Sequence, residues 1–292
     1  LSGLLHCRFE KLFAATVKGL TVAALFILLF IILFILKESL VVFRQVSIGD
    51  FIFGGQWRPV SLNLRLGLWP ILTASLVLSA LALALALPPA VGAALFLAHV
   101  CPDRLGRPLR SLIAIMAGIP SVVYGFAGVV LLLPILERLF KMSSGDSLLA
   151  GGIVLGVMIL PFIIATTTES MEAAAQGHSV VSRAMGVSRW YMLRRLVLPV
   201  SRMGIIAGAV LGVSRAMGET MAVIMVVGNS PLLPTELLGR IKPIPALIAL
   251  EIGSAPLGSI HYHALFGAGF VLLVLLLAIN LLFYFLRKRL VS

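Results

Sequence analysis

Six stretches of this 292-residue chain are too long and too apolar for the interior of a soluble domain of that size. They cover approximately residues 19–36, 69–98, 111–134, 147–167, 203–228 and 264–286. Each offers the roughly 17–25 largely apolar residues that a helix needs to cross a bilayer. Hydrocarbon satisfies no backbone polar group, so a spanning segment must be helical or belong to a closed barrel. The sequence has no succession of alternating strands of about ten residues, the pattern a barrel requires. The chain is therefore read as all-α, a polytopic membrane protein with six transmembrane helices. Composition agrees: 60% of the residues are hydrophobic and 12% charged, against about 25% charged in soluble domains. The first run resembles a secretory signal, but it is long for that role, and Lys37-Glu38 follows it in place of a small-residue cleavage site. It is read as a retained span, and the initial Leu leaves room for a few residues before it.

The net charge of +12 raises the question of nucleic acid, and its distribution answers it. With the N-terminus placed in the cytoplasm, fourteen of the 23 Lys and Arg fall on the inner side: before the first run, in 98–111, in 168–202 and at the C-terminus. That is the positive-inside bias of a membrane protein, with both termini cytoplasmic and membrane lipid, not nucleic acid, as the polyanionic neighbour. Both cysteines, Cys7 and Cys101, fall on the same inner side, where a structural disulfide is not expected. No Cys/His cluster suggests a metal, and His261 and His263 in an outer loop are read as ordinary surface histidines.

The chain divides into residues 1–68, the first span with an outer loop, and 69–292, a core of five spans. The outer loop carries Phe51, Gly54, Gly55, Trp57 and Pro59, the composition of a small packed cap. Pro88-Pro89 is expected to kink the second span. A proline-rich outer segment, about 229–263, holds the short apolar stretch 246–250, which reads as re-entrant or surface-lying. The inner segment 168–202 mixes Glu169, Glu172 and five arginines with apolar positions. Within it, residues 189–198 form an amphipathic helix stopped by Pro199, and 179–185 a second helix. Gly186 lies between them, where a sharp turn needs a residue that tolerates positive φ. A docking platform for a partner protein and an interfacial loop on anionic lipid both fit this pattern.

Arg215 and Glu219 are the only charges deep in an apolar run. A charge at a helix centre costs roughly 2.5–3.5 kcal/mol to insert. Their i, i+4 spacing predicts neighbours on one helix face that partly neutralise each other. Gly204, Gly208, Gly212 and Ala216 form a small-residue stripe; at about 100° per residue, Glu219 lies about 20° and Arg215 about 60° from Gly212. The charges are thus expected on the face another helix approaches closely, read as the side of a partner protein and a shared pathway. A guanidinium presents paired donors that match an oxyanion, with Thr220 and Ser214 as further hydroxyl donors. Glu219 would hold Arg215 when no anion is bound.

Several stretches resemble a known family. Gly186 is followed by nine residues and then Leu196-Val197-Leu198-Pro199, which is similar to the second half of the ATPase-docking loop of ABC importer permeases, with Leu for Ile. The first half departs from it: the EAA positions fall on Val180, Val181 and Ser182, and a literal Glu172-Ala173-Ala174 stands eight residues early. Ala117-Gly118-Ile119-Pro120-Ser121-Val122-Val123-Tyr124-Gly125, Met158-Ile159-Leu160-Pro161, Arg215-Ala216-Met217-Gly218-Glu219-Thr220-Met221-Ala222-Val223 and Val226-Val227-Gly228-Asn229 resemble the phosphate-specific branch, PstC type more than its PstA sister. The resemblance implies a type I ABC importer permease fold in the bacterial inner membrane. It implies a second permease subunit, a cytoplasmic ATPase dimer that binds ATP and Mg, and a periplasmic phosphate-binding protein. It gives Arg215 and Glu219 a transport role, and Gly186, Arg189, Trp190, Leu196, Leu198 and Pro199 the docking of the ATPase. The chain contains no G-x-x-x-x-G-K-[ST] loop, so it is read as neither an ATPase nor an enzyme, with no cofactor of its own. A permease for molybdate or sulfate and a secondary anion transporter with Glu219 as proton carrier are the alternatives; the latter often shows two similar halves, and no such repeat is visible.

Overall fold

The computed structural model describes the backbone of residues 2–61, 63–184, 186 and 188–291. It describes the side chains of the same residues except 2–12, 103, 175–184, 189 and 286–291. Helix α1 (Ser2–Gln45) is followed by a cap made of α2 (Ile48–Phe53) and a two-stranded antiparallel ribbon, β1 (Trp57–Arg58) and β2 (Arg65–Leu66). Helix α3 (Trp69–Leu95) continues through Pro88 and Pro89 and ends in a π-helical turn, Phe96–Val100. Then come α4 (Asp103–Gly118), α5 (Ser121–Ala127), a second π-turn and α6 (Leu133–Phe140). Helix α7 (Leu148–Ala184) is followed by α8 (Arg189–Met192), a third π-turn, Leu193–Val197, and α9 (Leu198–Val200). The chain closes with α10 (Arg202–Gly218), α11 (Met221–Ile224), α12 (Ile244–Glu251) and α13 (Ile260–Val291).

Among the described residues five helices are long and apolar enough to cross a bilayer: Phe13–Gln45, Trp69–Val100, Ser121–Phe140, Leu148–Ala174 and Ile260–Phe285. A sixth arises only if Arg202–Gly218 is joined to Trp190–Val200, from which it is bent by 59°. Two of the six apolar runs are therefore cut differently from the sequence expectation. The run at 111–134 is split at Ile119-Pro120, because a residue before proline is driven out of the helical region; Ile119 has φ −66° and ψ 131°. Its first half belongs to α4, an amphipathic helix that leaves Leu105, Leu112 and Ile115 exposed. The spanning helix starts at Ser121. The run at 203–228 is broken at Glu219, as described below.

The core sits between α3 and α7. Ala74, Leu78, Ala82, Ala86, Ala90 and Ala94 recur at every fourth residue and are all buried, which places them on one face of α3. Gly152 and Gly156 of α7 oppose that face: a Cβ on Gly152 would stand 2.6 Å from Leu81 Cδ2, and one on Gly156 3.3 Å from the Ala82 carbonyl. Small residues on both sides let the two helices approach closely. Leu155, Met158 and Ile159 fill the remaining space.

A second cluster closes the other end, where Phe51, Trp57 and Leu66 of the cap pack with Ile71 of α3, Leu247 of α12 and Leu265 of α13. The stretch 246–250, expected to be re-entrant or surface-lying, belongs to the short helix α12: Ile244 to Leu247 are covered, and Ala249 and Leu250 are exposed. Ser47 caps α2 by accepting from the Asp50 amide at 3.1 Å. The cap folds back so tightly that a Cβ on Gly67 would lie 2.2 Å from the Gly54 carbonyl carbon. Gly67→Ala is therefore expected to disorder the cap and destabilise the protein by about 1–3 kcal/mol. A melting curve in detergent, read beside that of Gly55→Ala, where a Cβ meets open space, checks this.

Candidate functional site: the break in the fifth span

Helix α10 ends where the sequence pattern placed its charged centre. Gly218 is its last helical residue, and Glu219 is extended, with φ −75° and ψ 130°. Thr220 leads into the short α11. Gly228 and Asn229 then take positive φ, 74° and 53°, and the chain turns back. The Asn229 side chain holds this turn by donating to the Ile224 carbonyl at 2.8 Å. Backbone bonds tie this turn in on two sides: the returning chain by Ile241 N–H to Val227 O at 3.0 Å, and the start of α7 by Ser147 N–H to Val226 O at 3.1 Å. Helix α11 is seated against α5 by Gly125, where a Cβ would stand 2.9 Å from Ala222 Cα. Tyr124 donates to the Met116 carbonyl at 2.8 Å across the α4–α5 break. Three of the stretches that carry the family resemblance, 117–125, 215–223 and 226–229, therefore meet in one place.

The expected Arg215–Glu219 pair does not form in this conformation. The i, i+4 relation holds only while the helix lasts, and the helix stops between the two residues. Glu219 Oε1 instead accepts from the Ala222 amide at 3.4 Å. Arg215 lies over the ring of Phe162 on α7, its Cζ 4.2 Å from the ring centroid. Among the described residues it makes no ion pair and no hydrogen bond through its side chain. The four residues expected to line the pathway diverge. Arg215 is exposed, Glu219 and Thr220 are half-buried at the break, and the Thr220 hydroxyl approaches only the Gly218 carbonyl, at 3.4 Å. Ser214 faces the other way. It accepts from the Asn280 amide of α13 at 3.3 Å and lines a cavity between α10 and α13.

The small-residue stripe also has a different partner from the one expected. It packs on α7 of the same chain: a Cβ on Gly208 would lie 3.3 Å from the Ile163 carbonyl, and one on Gly212 3.0 Å from Ile163 Cδ1. Gly208, Gly212 and Ala216 are buried there, and this close approach sets Arg215 within reach of Phe162.

At the basic end, α7 runs without a break through the stretch expected to form a separate helix at 179–185, as far as Ala184. Gly186 has φ +67°, the conformation for which a glycine was expected. The next helical segment is not stopped by Pro199. It runs through the π-turn to Val200 and bends at Ser201; Pro199 falls in the first turn after the π-turn, where a missing N–H is tolerated. Leu193 and Val197 are buried against Ala94, Met171 and Ala174, and Leu198 packs at their edge. Leu196 is half-buried, Trp190 and Pro199 are exposed beside Tyr191, Arg194 and Arg195, and the Arg189 side chain lies outside the described residues. The residues expected to dock an ATPase thus divide into an inward group, Leu198 with Leu193 and Val197, and an outward face around Trp190. Glu172 of the early Glu-Ala-Ala triplet pairs with Arg110 of α4, and Arg110 also donates to the Leu97 carbonyl at 3.2 Å. The positions 180–182 have side chains outside the described residues.

One cluster escaped the sequence reading. Glu251, at the end of α12, receives Trp57 Nε1 at 2.9 Å and Lys242 Nζ at 2.8 Å, and lies 2.9 Å from His261 Nε2. Burial alone would raise its pKa. The hydrogen bonds from Lys242, Trp57 and His261, together with the Lys242 charge, outweigh that and hold it below the ordinary carboxylate value. His263 Nδ1 lies 2.9 Å from Glu38 Oε2 of α1. Neither histidine is an ordinary surface residue. The partners of Glu251 lie 9 to 194 positions from it along the chain, so no local spacing announces them.

The fold is that of ABC importer permeases. An inward-facing structure of the methionine transporter MetNI superposes with TM-score 0.58 over 76% of this chain and 96% of that one, at 16% identity. An amino acid ABC transporter superposes with TM-score 0.54 over 75% and 92%, at 15% identity. Residues 90–292 match the family described as binding-protein-dependent transport system inner membrane component, and the chain belongs to that family. It is a multi-pass inner-membrane subunit of a transport system. Among curated relatives, it is 33% identical to the probable ABC transporter permease protein YqgH of Bacillus subtilis, over 84% of this chain and 79% of that protein. It is 31% identical to the phosphate transport system permease protein PstC of Haemophilus influenzae, over 87% of each, and 30% identical to that of Pasteurella multocida, over 92% and 89%.

The Glu251 cluster makes a testable statement about stability. Its lowered pKa means that the carboxylate's contribution is complete above the ordinary carboxylate value and is lost as pH falls through the folded one. Glu251→Gln is expected to lose on the order of 3 kcal/mol at neutral pH, with a melting temperature that varies less than wild type across that acid window.

Proposed function

We propose that this chain is the transmembrane permease subunit of an ATP-driven importer of inorganic phosphate, forming the translocation pathway with a second permease. The observation that carries this is Arg215, set at a helix break inside the membrane with its donors uncommitted, in a chain similar over most of its length to PstC proteins. Phosphate near neutral pH carries one to two negative charges, and a guanidinium offers paired donors that match its oxygens. Arg215 attracts the anion released by a periplasmic phosphate-binding protein, and Thr220 stands at the break that follows it. Glu219 draws Arg215 back as the anion leaves, which keeps the site from becoming a trap; its position one residue past the helix end gives it the freedom to do so.

The chain has no phosphate loop, so a cytoplasmic ATPase dimer binds ATP and Mg and supplies the energy. Its handle is the segment 168–202, whose exposed face of Trp190, Tyr191, Arg194 and Arg195 is available to a partner and whose buried face is anchored on α3 and α7. Gly186 and the bend at Ser201 bracket its helical part, residues 189–200, so a push on it reaches α10, which carries Arg215. The basic loops then lie in the cytoplasm with both termini, and the cap and the Glu251 cluster lie outside, toward the binding protein.

Arg215→Gln and Glu219→Gln are each expected to abolish uptake by the purified, reconstituted complex while the subunits still assemble, as judged by gel filtration. Normal phosphate uptake by either variant overturns the assignment, and stimulation of ATP hydrolysis by molybdate or sulfate in place of phosphate redirects it. Replacement of Gly186 by Leu, which strains its positive φ, is expected to leave ATP hydrolysis running with at most about a tenth of the coupled transport.

A further inference from the structure

We propose that Phe162 is the resting partner of Arg215 and a positioning residue for anion transfer, holding the guanidinium through its ring face so that the N–H donors stay free. The proposal rests on the reading that Arg215 receives the oxyanion. Three observations lead to it. First, the expected carboxylate partner is turned away, because the helix ends at Gly218 and Glu219 bonds to α11. Second, the Arg215 Cζ lies 4.2 Å from the Phe162 centroid, inside the range where a cation is drawn to the negative face of an aromatic ring. Third, the placement is built by backbone packing: Gly208 and Gly212 bring α10 onto Ile163, the residue after Phe162.

A carboxylate and an aromatic ring hold an arginine in different ways. A carboxylate occupies the donors on the guanidinium edge, the same donors an oxyanion needs. A ring attracts the charge without accepting those hydrogen bonds. Arginine held on Phe162 therefore stays ordered and ready, and an arriving anion displaces no competing acceptor. Two features allow the ring to yield. Pro161 precedes Phe162 inside α7 and takes one backbone hydrogen bond out of that turn. The ring also borders a cavity of about 230 Å³ between α4 and α7, which gives it space to turn as Arg215 moves.

The test grades the ring's negative face while keeping its size. In the full complex, reconstituted with its ATPase and binding protein, Phe162 is replaced by mono-, di- and trifluorophenylalanine, by Tyr and by Leu. Uptake of inorganic phosphate is expected to fall stepwise with fluorination, reaching about three- to tenfold below wild type. Phe162→Leu should fall at least as far, and Phe162→Tyr should stay nearer wild type. Melting temperatures of the fluorinated complexes should remain close together, which separates the effect from packing. A flat fluorination series overturns the proposal. The second arm needs no substrate: a double-mutant cycle of Phe162→Leu and Arg215→Gln on the melting temperature should be non-additive, and additivity overturns the contact. If the wild-type complex moves no phosphate, the functional reading fails, and the cycle alone upholds or overturns Phe162 as the partner of Arg215.

Discussion

The close approach of α10 to α7 is the constraint on which the rest of the site depends. Without a hydrophobic driving force between helices in lipid, packing rests on short-range contact, which small residues permit. Gly208 and Gly212 bring one backbone against Ile163 of the other. About two to three turns earlier along nearly the same face of α7, Gly152 and Gly156 do the same for α3 and its alanine seam. Two neighbours thereby hold α7 at close range along its length, and a side chain on α10 just past the glycines has only a few atoms to meet. For Arg215 those atoms are the ring of Phe162.

That packing also explains why the span can be broken. A helix end inside hydrocarbon leaves backbone groups without partners, which is tolerated only where protein supplies them. Here the bonds come from the Glu219 carboxylate, the Asn229 amide and the returning strand at Ile241. The break is thus a property of the assembled bundle, and it separates a cation and a carboxylate that an unbroken helix would bring together one turn apart.

The two ends of the molecule are fastened differently. At the basic end, one face of the 189–200 segment is apolar and buried on α3 and α7, while the other carries Trp190, Tyr191 and two arginines outward. At the cap end, a single carboxylate, Glu251, gathers Trp57, Lys242 and His261 from three separate segments. An apolar anchor with a bend at Ser201 suits a part that transmits movement, and a shared buried charge suits a part that keeps its shape.

Much of this was legible in residues alone. The apolar runs determined a helical membrane protein, the glycine at 186 carried its own local geometry, and the motifs at 117–125 and 215–229 pointed to the region that forms the site, whereas the break at Pro120 fell in a run read as one continuous span. Hydrophobicity and backbone sterics act locally, so a linear string records them. Tertiary structure alone decided that Glu219 does not pair with Arg215, that the glycine stripe serves α7 of the same chain, and that Phe162 and Glu251 matter. A periodicity assumes a helix continues, and only the packed neighbours determine where it stops. A contact between residues 53 positions apart, or 194, depends on how helices are arranged, and nothing in their sequence neighbourhoods encodes that arrangement.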